Sequence, residues 1–126
     1  MTGFFRRRIR RRTNQEHEPI VEILISGPAR SRTNSCLVDT GYNGYLLLPR
    51  SVATDLALVP TGTASLDLAD GTQVQAERFF ARVLWLTQWR LVRAATTNGP
   101  DTLIGAGLLF PHRLRIDYAA RTVEIS

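Results

Sequence analysis

The chain reads as an all-β barrel or sandwich. Its apolar residues come in seven or more short runs. Turn residues separate those runs about every 8–12 positions, and at most two stretches carry helical spacing. At 126 residues and 44% apolar composition it is the size of one domain and can bury a core.

Residues 1–18 are polar and charged and are expected to form an unstructured basic leader, with the folded domain spanning 19–126. Ile20-Val21-Glu22-Ile23-Leu24-Ile25 is β-branched and apolar, and Gly27-Pro28 ends it, which predicts a strand. Ser35-Cys36-Leu37-Val38 predicts another, leading into Asp39-Thr40-Gly41. Asn43-Gly44 marks a turn before the extended Tyr45-Leu46-Leu47-Leu48. Arg50–Leu58 spaces Val52, Ala53, Leu56 and Ala57 as a helix of about two turns, between Pro49 and Pro60. Ala64–Leu68 and Thr72–Glu77 alternate around Asp70-Gly71, which predicts a hairpin with a type I′ turn. Further strands are expected at Phe79–Leu86, Trp89–Ala95 and Thr102–Ile104, then a short helix at Ala106–Phe110. A last hairpin joins Leu114–Tyr118 to Thr122–Ile125 through Ala119-Ala120.

Composition narrows the function classes. All 16 basic residues are arginines, and six lie between Arg6 and Arg12. Without those six, 10 Arg face 11 Asp plus Glu, so the net charge of +5 belongs to the leader and the body is about neutral. Docking on nucleic acid is therefore open only to the Arg6–Arg12 block, as a sequence-independent electrostatic contact. No apolar run of roughly 18 residues exists to span a membrane. With one cysteine, Cys36, no intramolecular disulfide can form. The scarcity of Cys and His leaves no structural zinc site, and His17 and His112 have no ligand partner in view. A reducing compartment, the cytoplasm, is the default.

The chemistry gathers at Asp39. Asp-Thr-Gly arises by chance in roughly a few per cent of chains this long, so its surroundings carry the weight. An apolar strand leads in and another follows a Gly-containing turn. A carboxylate at the end of a buried strand is costly unless something uses or satisfies it. Thr40 sets a hydroxyl beside it, and Gly41 lets the backbone turn and a substrate come close.

With these residues the sequence resembles the retropepsin-type aspartic peptidases, and within them the small bacterial and archaeal relatives. The likeness is carried by Val38-Asp39-Thr40-Gly41-Tyr42-Asn43-Gly44-Tyr45-Leu46, the hairpin around Leu68-Ala69-Asp70-Gly71-Thr72, and Asp101-Thr102-Leu103-Ile104-Gly105. It covers residues 19–126 in order, including the closing hairpin. The resemblance implies a closed acid-protease barrel of six or more strands with one or two short helices. It implies hydrolysis of peptide bonds in a peptide or protein substrate by a water that Asp39 activates, without metal or cofactor. Thr40 resembles the residue whose hydroxyl locks two catalytic loops together, and Gly41, Tyr42 and Asn43 fall where the family grips substrate. Ala69, Asp70, Gly71 and Thr72 resemble a flap over the cleft, and Ile104-Gly105 the pair beneath the active-site loop. The family's reaction needs two aspartates, whereas this chain has one Asp-Thr-Gly and no internal repeat. A homodimer must then bring Asp39 from each copy to a two-fold axis, with Ile20–Ile25 and Thr122–Ser126 as candidate interface strands.

Plainer roles stand beside these. Asp39 can be a strand-end turn residue, and Asp70-Gly71 simply a good turn. Asp67, Asp101 and Asp117 fit turn or surface carboxylates, with Asp117 in reach of Arg121 across the last hairpin. Cys36 fits an ordinary core thiol. Trp85 and Trp89 fit either barrel packing or a subsite wall. The rival to an enzyme is a catalytically silent peptide-binding or dimerisation module of the same fold.

Overall fold

The computed structural model describes residues 5–8, 10–11, 17–68 and 70–126, with the first two segments described in backbone only. The side chains of the Arg6–Arg12 block, and Ala69, thus lie outside the described residues. Strands β1 (Phe5–Arg8), β2 (Arg10–Arg11) and β3 (His17–Glu18) precede β4 (Ile20–Ser26) and β5 (Ser31–Val38). Next, β6 (Leu46–Pro49) runs into helix α1 (Arg50–Asp55), and β7 (Gly62–Asp67), β8 (Gln73–Trp85) and β9 (Gln88–Thr97) form successive hairpins. Strand β10 (Thr102–Ile104), helix α2 (Ala106–Leu109), β11 (Leu114–Asp117) and β12 (Thr122–Ile125) complete the chain.

The main sheet runs β4-β5-β10-β6-β9-β8-β7, and β4 also pairs with β8. That extra pairing closes six strands into a barrel and leaves β7 attached outside the ring. The β5–β10 and β6–β9 pairings are parallel and the others antiparallel, so the barrel is mixed. Alternation along each strand builds the interior: Val21, Ile23 and Ile25, Cys36 and Val38, Leu46 and Leu48, and Phe79, Ala81, Val83 and Trp85 all point inward. Val52 and Leu56 of the α1 segment, Leu108 of α2, and Val123 and Ile125 of β12 close the ends. The closed β-barrel with two short helices is the architecture expected from the sequence.

Four local departures have physical causes. The helix read over Arg50–Leu58 stops at Asp55, because Ala57 takes a left-handed φ of 56°. The N–H groups of Ala57 and Leu58 then return to the carbonyls of Thr54 and Ala53, a Schellman termination built without the usual glycine. Second, the strands read as Thr72–Glu77 and Phe79–Leu86 are one. Arg78 pairs with Gly62 on one side and Ala95 on the other, so β8 passes between two hairpins unbroken. The buried positions slip phase from Ala76 to Phe79, and that slip imitates a break.

Third, the turn at Asp70-Gly71 is not type I′, since Gly71 has positive φ (87°) but Asp70 does not. Gly71 donates to the Leu68 carbonyl and Leu68 to the Thr72 carbonyl, a wider turn whose left-handed glycine forms the bulge. The double positive φ of a type I′ turn falls at Leu86 and Thr87, where no Asn or Gly announces it. Fourth, part of the expected unstructured leader is paired: β1 lies antiparallel on β12, with Phe5 opposite Ile125 and Arg8 opposite Thr122. β11 occupies one edge of β12, and an extended segment satisfies the row of N–H and C=O groups on the other. In the last hairpin Asp117 accepts the Ala120 N–H at 3.0 Å rather than pairing with Arg121.

Candidate active site

Strand β5 delivers Asp39 to the end of the barrel beside β10. The Asp39 N–H donates to the Ile104 carbonyl at 2.9 Å, and its own carbonyl accepts the Tyr42 N–H at 3.2 Å. Its Oδ1 accepts the Gly41 N–H at 3.0 Å, which holds the carboxylate in one orientation. Among the described residues Oδ2 has no hydrogen-bond partner. One carboxylate oxygen is thus fixed by the loop and the other left open. Thr40, Gly41 and Asn43 are exposed next to it.

The loop rests on the β10–α2 junction through backbone alone. Gly105 N–H donates to the Tyr45 carbonyl at 3.1 Å, Ala106 N–H to that of Tyr42 at 2.7 Å, and Gly107 N–H to that of Gly44 at 3.0 Å. Such contact requires that no side chain stand between. A Cβ on Gly105 would lie 2.6 Å from both the carbonyl oxygen and Cδ2 of Tyr42, and would meet the Gly44 carbonyl more closely still. The Tyr42 ring covers Gly44, and burial raises the pKa of its hydroxyl. Ile104-Gly105, read from the sequence as lying beneath the loop, is where the structure has it. Gly107 was not singled out, although the spacing Gly105-Ala106-Gly107 carries the signal of a second close approach.

The hairpin tip is a separate assembly, and among the described residues none of its hydrogen bonds reaches the Asp39 loop. Thr72 donates to Asp70 Oδ1 from its N–H at 3.0 Å and from its hydroxyl at 2.6 Å, which lowers the Asp70 pKa. Gln73–Asp67 and Gln75–Ser65 rungs at 2.9 and 2.8 Å brace the β7 and β8 arms. A cleft of about 420 Å³ opens elsewhere, beside α1, lined by Arg32, Asn34, Val52 and Thr102 among others, and Asp39 is not part of it. No cluster of three or more His, Cys, Asp or Glu able to hold a metal exists among the described residues. Nor is any helix among them long and apolar enough to cross a membrane.

The tryptophans divide. Trp85 is buried with its ring edge-on to His112 at 5.8 Å, while Trp89 is 42% exposed on the outside of the barrel. Cys36 is fully buried, its thiol donating to the Asn34 carbonyl at 3.4 Å. Burial, with a smaller push from Glu22, raises its pKa from 9.0 to about 12. Because the folded value is the higher one, the unfolded chain loses this proton first as pH rises. Stability should therefore decline between about pH 9 and 12, measurable as a falling denaturant midpoint. Ellman's reagent at neutral pH should label Cys36 only after denaturant is added, and prompt labelling of the folded chain would contradict its burial.

No protein-family model matches the sequence. An uncharacterized protein of Archaeoglobus fulgidus is 29% identical, over 86% of this chain and 93% of its own length. Among solved structures, a retropepsin-like aspartic protease from Rickettsia conorii covers 97% of this chain and 90% of its own, at TM-score 0.63 and 18% identity. EIAV protease, in complex with the inhibitor HBY-793, covers 78% of this chain and 90% of its own at TM-score 0.64 and 18% identity. Its six-strand mixed barrel, and these superpositions, give the chain the fold of the retropepsin-like aspartic proteases.

Proposed function

We propose that residues 19–126 form an aspartic endopeptidase domain whose active site is completed by a second copy of the chain. The observation that carries this reading is Asp39 itself, with one oxygen held by Gly41 N–H and the other unpartnered on an exposed loop. A carboxylate that merely closed a turn would not need the glycine-lined platform of Gly105 and Gly107 beneath it.

Two Asp39 carboxylates brought to a two-fold axis cannot both ionise, so one keeps a proton. The ionised one takes a proton from a water as that water attacks the scissile carbonyl, and the protonated one hydrogen-bonds the carbonyl oxygen. The resulting tetrahedral carbon expels the amine, which leaves with a proton. Exposed Thr40 hydroxyls beside each Asp39 are suited to tie the two loops together. Tyr42 and Asn43 follow directly and are suited to line the substrate path. The hairpin tip at 68–72 is suited to cover a bound peptide and exclude water. The R. conorii and EIAV proteins are proteases, which supports the assignment of activity at the level of fold. Cys36, buried and free, accords with a reducing compartment such as the cytoplasm.

The test is cleavage of a mixed peptide library from pH 3 to 7 across a range of protein concentrations. Cleavage fastest in acid, blocked by a transition-state-mimicking aspartic-peptidase inhibitor, is expected. Specific activity should rise with protein concentration until dimers saturate. Inhibitor-insensitive cleavage would overturn the reading, and silence from a folded dimer would favour the peptide-binding module.

A further inference from the structure

On the outside of the barrel, β8 and β9 present six side chains as three facing pairs: Phe80 with Arg93, Arg82 with Leu91, and Leu84 with Trp89. Of the residues between them, Ala81, Val83 and Val92 point into the core, and Arg90, opposite Val83, is half-buried. Phe80, Trp89 and Leu91 are nevertheless 47%, 42% and 66% exposed. Isolated apolar residues on a surface are ordinary, but three side by side on a twisted two-stranded ribbon form a patch.

The charge on this patch is of one sign. None of the six residues is acidic, and the Arg82 guanidinium lies 5.4 Å from the centre of the Trp89 ring. Among the described residues neither Arg82 nor Arg93 has a carboxylate partner. Three other arginines are neutralised, Arg30 and Arg32 by Asp55 and Arg50 by Glu77. The face therefore joins exposed aromatic and leucine surface to two unneutralised guanidiniums, the composition that anchors protein–protein contacts.

We infer that this face docks an acidic, amphipathic peptide segment of a partner protein. Its apolar residues cover Phe80, Trp89 and Leu91, and its carboxylates take Arg82 and Arg93 in charge-assisted, bidentate hydrogen bonds. A single-stranded nucleic acid suits the face less well: stacking needs open rings, yet Arg82 covers one face of Trp89 and the most exposed residue is Leu91. A second copy of the chain suits it less well too, because a two-fold contact through this patch sets Arg82 and Arg93 against like charges. The inference is independent of the peptidase assignment, since neither strand carries Asp39.

The test is fluorescence anisotropy with a labelled peptide of about ten residues, alternating Glu or Asp with Leu and Phe, long enough to span three residue pairs. Controls are the same peptide with Lys replacing its acids, an oligothymidylate, and phosphatidylserine-containing vesicles. Saturable micromolar binding of the acidic peptide is expected, weakened about tenfold or more by Arg82→Glu with Arg93→Glu, and separately by Leu91→Ser. Each variant's thermal midpoint reports its folding. Titration of the unaltered chain gives an independent reading, because Trp89 is exposed while Trp85 is buried, so bound peptide should shift Trp89 emission and Trp89→Phe should abolish the shift. The inference is overturned if the acidic peptide fails to saturate by about 1 mM. It is equally overturned if the Lys peptide binds as well, or if the oligonucleotide or vesicles bind through these residues in the peptide's place.

Discussion

Asp39→Asn should lower kcat/KM for peptide cleavage by about 10³-fold or more, with the fold intact. The two halves of that expectation have separate causes. Structurally, the contact that orients Asp39 is its Oδ1 accepting Gly41 N–H at 3.0 Å, and the amide oxygen of asparagine can accept the same bond. The loop's remaining bonds are backbone bonds to Ile104 and Tyr42 and are indifferent to the side chain. The denaturation midpoint should then shift by no more than about 0.5 kcal/mol equivalent. Chemically, an amide neither takes a proton from water nor shares one across a two-fold axis. Mixing the variant with the unaltered chain adds a sharper reading. At equal concentrations random pairing leaves about a quarter of dimers with two Asp39 residues, so activity should fall well below the half that simple dilution predicts. Activity of exactly half would show that each chain works alone, and full activity of the variant would remove Asp39 from the chemistry.

Gly105→Ala should be the most damaging single-methyl change in the described chain around the site. The added carbon meets not only the Tyr42 ring but backbone that cannot swing aside: it lies 2.6 Å from the Tyr42 carbonyl oxygen and closer to that of Gly44. Either the Asp39 loop lifts off β10 or α2 moves. The cost of such overpacking is about 3 kcal/mol, with Asp39 displaced as well. Gly107→Ala offers a graded control, because its Cβ would sit 3.0 Å from the Gly44 oxygen and 3.1 Å from that of Asn43, needing a smaller shift. Urea denaturation should rank the stabilities as unaltered chain, Gly107→Ala, Gly105→Ala. Equal midpoints for all three would mean that the loop is not braced on these glycines.

The parts of this architecture legible in the sequence are those where composition and geometry coincide. β4 is β-branched and apolar and stops at a Gly-Pro pair, and the last hairpin alternates cleanly. Around Asp39 the flanking apolar runs and the Thr-Gly pair gave away a strand-to-turn junction. What stayed hidden depended on partners distant in sequence. The continuity of β8 through Arg78 arises because Gly62 and Ala95 pair with it from opposite sides, which no local pattern records. The left-handed residues Ala57, Leu86 and Thr87 are not types that favour positive φ, so tertiary packing imposed those turns. The pairing of β1 with β12 was masked by arginines that read as solvated charge.

The unbroken course of β8 makes the molecule mechanically a lever. Its outer arm, paired among the described strands with β7 alone and tied to Arg50 through Glu77, ends at Arg78, where the strand becomes part of the barrel wall. Gln73 lies five positions before that point, an arm of about 17 Å, so a rotation of about 10° there moves Gln73 by about 3 Å. The pivot is the Gly62–Arg78 pair, where Gly62 has a φ of 151° and no side chain to resist bending. The far end of the same strand carries Phe80 and Arg82 on the outer wall. Load applied to that wall therefore bears on the fulcrum of the hairpin, and stiffness at one end of β8 is felt as reach at the other.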